Sequence, residues 1–166
     1  MTFSPTWEPK IAKVISAKVN ENDDQKRPTM VAVVGMPGSG KTTSSDILAS
    51  LLQDSYKTSC IVLPMDGYHF PIAHLKAMEN PEDVIYRRGA PDTFDAKALR
   101  NILHNIRNGS EKIVPVPGFD HTIGDPTPDK HIFNRDKHTV VIVEGLYLLY
   151  EDESLGWNGI KVKYSG

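Results

Sequence analysis

Cysteine is almost absent from the sequence, which has 166 residues and a single thiol at Cys60. One thiol can form no disulfide within the chain and cannot build a cysteine-based metal site, so disulfide-stapled and zinc-finger proteins are excluded. Long apolar runs are absent too. None approaches the roughly 18 residues of a membrane span, and the N-terminal segment has no apolar core like that of a signal peptide. We therefore expect a cytoplasmic protein with no membrane partner.

An excess of positive charge is also lacking. Nineteen Lys and Arg residues face 21 Asp and Glu residues, which gives a formal net charge of −2. Because proteins that bind nucleic acid usually carry a broad basic surface, we do not expect nucleic acid as a partner. A local basic pocket for phosphates stays compatible with this balance. Hydrophobic residues make up 39% of the chain and charged residues 24%, as in an ordinary globular domain.

Three short apolar runs predict buried parallel strands at Met30–Val34, Cys60–Leu63 and Val140–Val143. Each run is rich in β-branched residues and does not alternate with polar ones, which is typical of strands covered on both faces. A helix is predicted between the first two, roughly over Lys41–Asp54. Its apolar stripe consists of Ile47, Leu48, Leu51 and Leu52. The order strand, glycine-rich turn, helix, strand predicts a βαβ unit and an α/β fold.

Two further helices are predicted on either side of this unit. The first lies within residues 1–20 and is followed by a polar loop over Asn20–Pro28. The second spans Phe94–Arg107, with Asp92 or Thr93 as its N-cap. The residues expected to share one face of the first helix are Ile11, Val14, Ile15 and Lys18.

The segment after the last predicted helix is less regular. Ile113–Phe119 is apolar but contains Pro115 and Pro117, which permit at best an irregular or edge strand. His121–Asp129 is rich in Pro, Asp and Gly, so we expect a loop there.

The segment Gly35–Thr42 matches the pattern G-x-x-x-x-G-K-[ST] at every fixed position. Glycines let successive backbone N–H groups wrap around phosphate, and the following helix presents its positive end to the same anion. In such loops the lysine reaches the β- and γ-phosphates and the hydroxyl binds Mg²⁺, which predicts these roles for Lys41 and Thr42. We therefore expect ATP and Mg²⁺ as cofactors. The residues expected to hold the nucleotide are Gly35, Met36, Pro37, Gly38, Ser39, Gly40, Lys41, Thr42 and Thr43.

Two carboxylates follow predicted strands. Glu144 ends the run Val140–Val143, and the carboxyl ends of parallel strands meet at the ligand crevice. Glu144 is thus a candidate Mg²⁺ ligand beside Thr42, the alternative being a surface carboxylate at the start of a loop. Asp66 follows Cys60–Leu63 and is a candidate base for an acceptor hydroxyl. The pair Asp66-Gly67 is equally consistent with a plain turn.

Other polar and aromatic residues could recognise a substrate. Arg87 and Arg88 form a pair suited to phosphate or carboxylate, although a solvated basic face is the more common role for two arginines. His69, Phe119, Asp120 and His121 could line a substrate pocket. Taken singly, a structural or solvated position is the more common role for each of these residues.

Four segments together resemble the family of uridine kinase, phosphoribulokinase and bacterial pantothenate kinase. They are Pro64–Phe70, Arg87–Asp95, Val116–His121 and Val141–Leu149. The sequence is most similar to a fungal branch of ATP-dependent kinase-like proteins, which also carries the Asp125–Asp129 motif. The resemblance implies a three-layer α/β/α P-loop NTPase fold with a mostly parallel sheet. It also implies phosphoryl transfer from ATP to a hydroxyl of a small molecule, with Asp66 and Lys41 as catalytic residues. The substrate residues that it implies are Tyr68, His69, Arg87, Arg88, Phe119 and His121.

The resemblance also implies a domain organisation. Residues 1–28 are expected to form an N-terminal helix and linker, 29–157 an incomplete kinase-like domain, and 158–166 an atypical tail. Family members continue with two more strands and an arginine-rich lid in a sheet of order 2-3-1-4-5. Without these parts the strand before the phosphate loop would be an edge prone to self-association. The alternative function is therefore an ATP-binding or slowly hydrolysing protein without transferase activity.

Overall fold

The computed structural model describes residues 7–21 and 27–159. A sheet of parallel strands lies at the centre, and short 3-10 turns at Met65–Tyr68, Pro91–Thr93 and Glu153–Leu155 connect several elements. The described helices and strands are, in chain order, α1 (Glu8–Asn20), β1 (Thr29–Val34), α2 (Lys41–Tyr56), β2 (Cys60–Pro64), α3 (Ile72–Leu75), α4 (Pro81–Tyr86), α5 (Ala96–Asn108), β3 (Ile113–Asp120), β4 (Asp125–Asn134), β5 (Val140–Gly145), β6 (Glu151–Asp152) and β7 (Trp157–Asn158).

The central sheet has the strand order β1-β5-β2, and both pairs are parallel. Ile142 of β5 lies opposite Val31 of β1 on one side and Val62 of β2 on the other. All six residues of β5 are buried because the strand is paired along both edges and covered on both faces. The three predicted strands and their parallel arrangement are confirmed, as is the α/β fold class. Their order also agrees with the first three positions, 2-3-1, that the resemblance implied.

Alternate residues of β5 point to opposite faces of the sheet, and each set packs into a separate hydrophobic core. Val140 and Ile142 pack with Ala12, Ile15, Leu48 and Leu52, which places α1 and α2 on one face. Val141 and Val143 pack on the other face against α5 and the β3–β4 hairpin. The buried members of that second cluster include Leu63, Leu99, Ile106, Val114 and Phe133. Three layers result, with the sheet in the middle.

Two predicted details of the helices need correction. In α1 the residues turned to the core are Ala12 and Ile15, whereas Ile11 and Val14 are 37% and 56% exposed. The buried stripe also contains two polar residues, Glu8 at the helix start and Ser16 in its second half, which a pattern of apolar spacing does not indicate. In α5 the N-cap is Asp95, whose side chain accepts a hydrogen bond from the Ala98 amide at 2.8 Å. Neither Asp92 nor Thr93 holds that position.

The expectation of a loop over His121–Asp129 is wrong, because β4 begins at Asp125. It pairs antiparallel with β3, and a register shift lies between Val116 and Gly118. In a sheet of only two strands, the outer edge of each strand is unpaired. A proline whose nitrogen faces that edge therefore removes no hydrogen bond between strands. Pro115 is tolerated for this reason, whereas Pro117 lies at the register shift and has no partner in β4.

The edge of β1 opposite β5 pairs with no other strand in residues 7–21 and 27–159. Of the tail predicted over 158–166, only Asn158 and Gly159 are described, and Asn158 pairs with Glu151 in the β6–β7 ladder. The remainder of that tail and the central part of the predicted loop over Asn20–Pro28 lie outside the described residues. No described helix is both long enough and apolar enough to cross a membrane.

Candidate active site

The loop between β1 and α2 has the backbone form that its glycines predict. Gly38 and Gly40 have φ angles of 74° and 84°, a region that side chains resist. A Cβ atom on Gly35 would lie 2.7 Å from the Ser39 hydroxyl. Gly40 caps α2 without a side-chain hydrogen bond, so the first N–H groups of the helix remain available. Loop and helix end together form a site suited to an anion such as phosphate.

The side chain of Lys41 folds back onto the loop that precedes it. Lys41 Nζ donates a hydrogen bond to the Met36 carbonyl at 2.9 Å. The ammonium group therefore already lies at the loop that it is expected to serve. The bond is solvent-exposed, so an incoming phosphate oxygen can replace the carbonyl at little cost.

A hydroxyl and a carboxylate meet beside the loop. Thr42 Oγ1 donates to Glu144 Oε1 at 3.0 Å, although 102 positions separate the two residues. Pairing of β5 with β1 places Glu144 opposite Val33, one residue from the end of β1. Glu144 is 8% exposed, and its Oε2 atom is buried without a hydrogen-bond partner. Burial raises the pKa of Glu144, while the bond from Thr42 acts in the opposite direction.

These two side chains fit a magnesium site. Mg²⁺ is usually held by one or two carboxylates together with phosphate oxygens and water. Within the described part of the chain no three His, Cys, Asp or Glu side chains cluster as a complete metal cage. A single carboxylate with an unpaired buried oxygen, next to a threonine hydroxyl, is the arrangement expected where ATP supplies the remaining ligands.

The second carboxylate lies on the 3-10 turn Met65–Tyr68, directly after β2. Asp66 is half-buried and follows the β2 residue Pro64, which pairs with Glu144. Its charge contributes to the raised pKa of Glu144, so the two carboxylates act on each other electrostatically. A Cβ on Gly67 would lie 2.4 Å from the Pro117 carbonyl oxygen, so β3 crosses this turn closely. The Asp-Gly turn is therefore real, and it holds Asp66 between the sheet and the hairpin.

Aromatic and imidazole rings gather beside Asp66. The ring of His69 lies 3.9 Å from that of Phe94 and 4.9 Å from that of Phe119, measured between centroids. Phe119 in turn lies 5.1 Å from His121. His69 Nδ1 is 2.9 Å from the Asp66 carbonyl oxygen. Three residues predicted for the substrate pocket thus form one cluster with Phe94. Phe94, which sequence analysis did not single out, is 5% exposed and joins this cluster to the second core.

Tyr147 was also missed. Its ring lies 5.6 Å from that of Phe94, and its hydroxyl donates to the Gly89 carbonyl at 2.8 Å. The only sequence signal for it is its position three residues after Glu144, in the segment that resembles the family.

The other three predicted substrate residues have different surroundings. Tyr68 is 7% exposed, and its hydroxyl is buried without a partner. Arg87 is exposed and forms ion pairs with Asp83 and Asp92. Arg88 contacts the β3–β4 hairpin rather than open solvent. Their part in substrate binding stays a prediction.

The imidazole of His69 should titrate below its ordinary value. Burial lowers the pKa of His69, and the charges of Arg88 and His121 act in the same direction, against the Asp66 carbonyl and charge. Its contribution to stability is therefore complete above the ordinary pKa of 6.5 and is lost as the pH falls through the lowered value. An NMR titration of His69 in the folded protein and in urea measures this. A folded pKa at or above the value in urea would contradict it.

Comparison with known proteins gives a consistent result. The Zeta toxin family matches residues 13–98. A uridine kinase-like protein of Schizosaccharomyces pombe is 36% identical over 121 residues, which are 72% of this chain and 51% of that protein. The ATP-dependent kinase YFH7 of Zygosaccharomyces rouxii is 35% identical over 117 residues, 56% of this chain and 31% of that protein. The chain thus spans about half or less of the length of these relatives.

A solved structure supports the fold assignment. The crystal structure of YFH7 from Saccharomyces cerevisiae has a TM-score of 0.80 and 19% sequence identity. The similarity covers 90% of this chain and 76% of that one. At this level of identity the comparison establishes the shared fold alone.

Proposed function

The chain belongs to the Zeta toxin family of P-loop kinases, and we propose that it transfers the γ-phosphoryl group of ATP to a hydroxyl group of a small molecule. The observation that carries this proposal is the pair Thr42–Glu144 beside the phosphate loop, in which one buried carboxylate oxygen has no partner. A structural carboxylate would be expected to have both oxygens satisfied.

The proposed reaction assigns each group a role. Backbone N–H groups of Gly35–Thr43 hold the triphosphate, and Lys41 exchanges its bond to the Met36 carbonyl for the β- and γ-phosphates. Thr42 and Glu144 would hold Mg²⁺, which when bound neutralises charge on the phosphates. Asp66 accepts the proton of the acceptor hydroxyl while the oxygen of that hydroxyl bonds to the γ-phosphorus. The bond between this phosphorus and the bridging oxygen breaks, and ADP leaves with that oxygen.

The acceptor is proposed to lie against the ring cluster beside Asp66. The rings of His69, Phe119 and His121 are linked by centroid distances of 4.9 and 5.1 Å. Aromatic rings suit a planar ligand, and a uridine kinase-like protein is among the relatives. Uridine is therefore the first acceptor to test, followed by pantothenate, ribulose 5-phosphate and D-glycerate.

A second candidate function is ATP binding with slow hydrolysis and no transfer. The observation that favours it is the open phosphate loop, where Met36 is 69% exposed and the following residues through Ser39 are exposed as well. Water can enter such a site, and transfer to a bound acceptor usually needs water excluded.

One experiment tests the proposal in two stages. At a concentration of about a hundred times its dissociation constant, Mg·ATP should stabilise the fold by about 2.7 kcal/mol, which a thermal melt detects. ATP turnover is then measured with water alone and with each of the four acceptors. Acceptor-dependent formation of ADP and a phosphorylated product supports the kinase. Hydrolysis alone supports the second function, and no thermal shift in a folded sample would refute both.

A further inference from the structure

Arg88 makes several contacts close to the ring cluster beside Asp66. Its guanidinium group donates to the Gly124 carbonyl, to the Phe70 carbonyl at 3.2 Å and to Asp125 Oδ1 at 2.9 Å. The side chain is 17% exposed. It also lies over the ring of Phe119, with 5.6 Å between the guanidinium carbon and the ring centroid. These contacts leave it little freedom to reach a ligand.

The contacts of Arg88 join two separate parts of the molecule. Gly124 and Asp125 lie at the tip of the β3–β4 hairpin, whereas Phe70 follows the turn that carries Asp66. Asp125 Oδ1 accepts a second hydrogen bond, from the Ile72 amide at the start of α3, at 2.9 Å. One carboxylate oxygen thus serves both the arginine and a backbone amide. Charge-assisted bonds of this kind are about twice as strong as neutral ones.

The neighbouring arginine shows that this arrangement is particular to Arg88. Arg87 forms its ion pairs with Asp83 and Asp92, which belong to the same stretch of chain. Such exposed pairs contribute little to stability. Arg88 instead spans 37 positions to reach Asp125, and the ion pair is only partly open to solvent.

We infer that the Arg88–Asp125 ion pair is a positioning element that clamps the tip of the β3–β4 hairpin to the Asp66 turn. The residues that it holds in place are Phe119, at the end of β3, and His121, in the hairpin turn. Both belong to the ring cluster beside Asp66. The part of this inference that concerns the acceptor rests on the proposed kinase function. The clamp itself does not, since it follows from contacts within the chain.

The rival role for Arg88 is direct contact with the acceptor, which its arginine–arginine motif first indicated. The two roles differ in what a substitution does without any ligand. A ligand-binding arginine can be removed without loosening the hairpin. A clamp cannot, because Asp125 then loses the arginine that helps to hold it against the Ile72 amide, and the hairpin tip loses its bonds to Arg88.

Hydrogen exchange of the free protein tests the clamp directly. In Arg88→Ala we expect the amides of Ile72 and of Phe119–Gly124 to exchange at least about 10-fold faster, while the amides of β5 keep their rates. Asp125→Asn should give a smaller increase at the same amides, since its carbonyl still accepts a bond but carries no charge. The combined variant should show less than the product of the two effects.

A second readout follows the rings themselves. The side-chain resonances of His69 and His121 depend on the nearby ring of Phe119, so Asp125→Asn should shift both. The matched control is Lys112→Ala, which removes an exposed ion pair to Asp136 at the other end of the same hairpin. This control should change neither the exchange rates nor the two histidine signals.

Kinetics connect the clamp to the acceptor. With uridine, or whichever acceptor in the panel turns over, both clamp variants should raise the KM for the acceptor about 10-fold and leave the KM for ATP unchanged. A raised KM for the acceptor, with hairpin amides that exchange as in the wild type, would overturn the clamp and make Arg88 a ligand residue. Unchanged amides and unchanged KM would overturn it as well. If no acceptor turns over, the proposed function fails, and the exchange data still decide the clamp.

Discussion

Asp66→Asn is expected to slow phosphoryl transfer by about 10²–10⁴-fold, the usual cost of removing a general base, while ATP affinity stays within about threefold. Asparagine has nearly the shape of aspartate but cannot accept the proton of the acceptor hydroxyl. The turn should keep its form, because it is fixed by the close approach of Gly67 to Pro117 rather than by the carboxylate. Turnover and nucleotide titration on one preparation measure both quantities.

The control for this prediction is Asp54→Asn, an exposed aspartate near the end of α2. It makes the same chemical change away from the site and should alter neither quantity. Equal loss of ATP binding and of turnover in Asp66→Asn would instead make Asp66 a metal ligand. Turnover close to that of the parent protein would make it a residue of the turn alone.

The central sheet could be predicted because its signals are local. Each strand is a short β-branched run, and a strand buried on both faces has no polar alternation to misread. The ends of the elements were less accurate: α2 continues to Tyr56 rather than Asp54, and α5 begins at Ala96 rather than Phe94. The N-cap of α5 is accordingly Asp95 rather than the predicted Asp92 or Thr93.

In the β3–β4 hairpin, β3 agrees with the irregular or edge strand predicted over Ile113–Phe119. Strand β4 could not be predicted, because the two strands are stabilised by each other and by packing on the Asp66 turn. The hairpin sequence is rich in residues that favour turns, including Pro115, Pro117 and Pro126. Burial of Val114, Val116 and Phe133 in the second core outweighs these local preferences. Propensity is a weak guide wherever tertiary contacts of this kind decide the structure.

The candidate site likewise has parts that could be predicted from the sequence and parts that could not. The phosphate loop and Glu144 belong to a contiguous motif and to a strand end, so spacing alone indicated both. The roles of Arg88 and Asp125 depend on a contact between residues 37 positions apart in the chain. The spacing of residue types in the sequence does not predict such a contact. A pair of arginines in sequence indicated a shared anion site, whereas the structure gives one an exposed set of ion pairs and the other a contact with the hairpin.

Lys41→Ala is expected to lower ATP turnover about 10²–10³-fold and to weaken ATP binding about 10-fold or more. The ammonium group is the positive charge that the loop brings to the β- and γ-phosphates, and it stabilises charge that builds up as the phosphoryl group moves. The fold should be little affected, because among the residues that the structure describes the hydrogen bond lost in the free protein is the exposed one to the Met36 carbonyl. Melts of the free protein, nucleotide titrations and turnover separate these effects.

Lys13→Ala is the matched control, since Lys13 is an exposed lysine within a helix on the same face of the sheet. It removes the same charge without touching the loop and should leave binding and turnover unchanged. A loss of thermal stability in free Lys41→Ala would show that Lys41 supports the fold. Full ATP affinity in a folded Lys41→Ala sample would show that the loop holds triphosphate through its backbone alone, and the role assigned to the lysine would then be wrong.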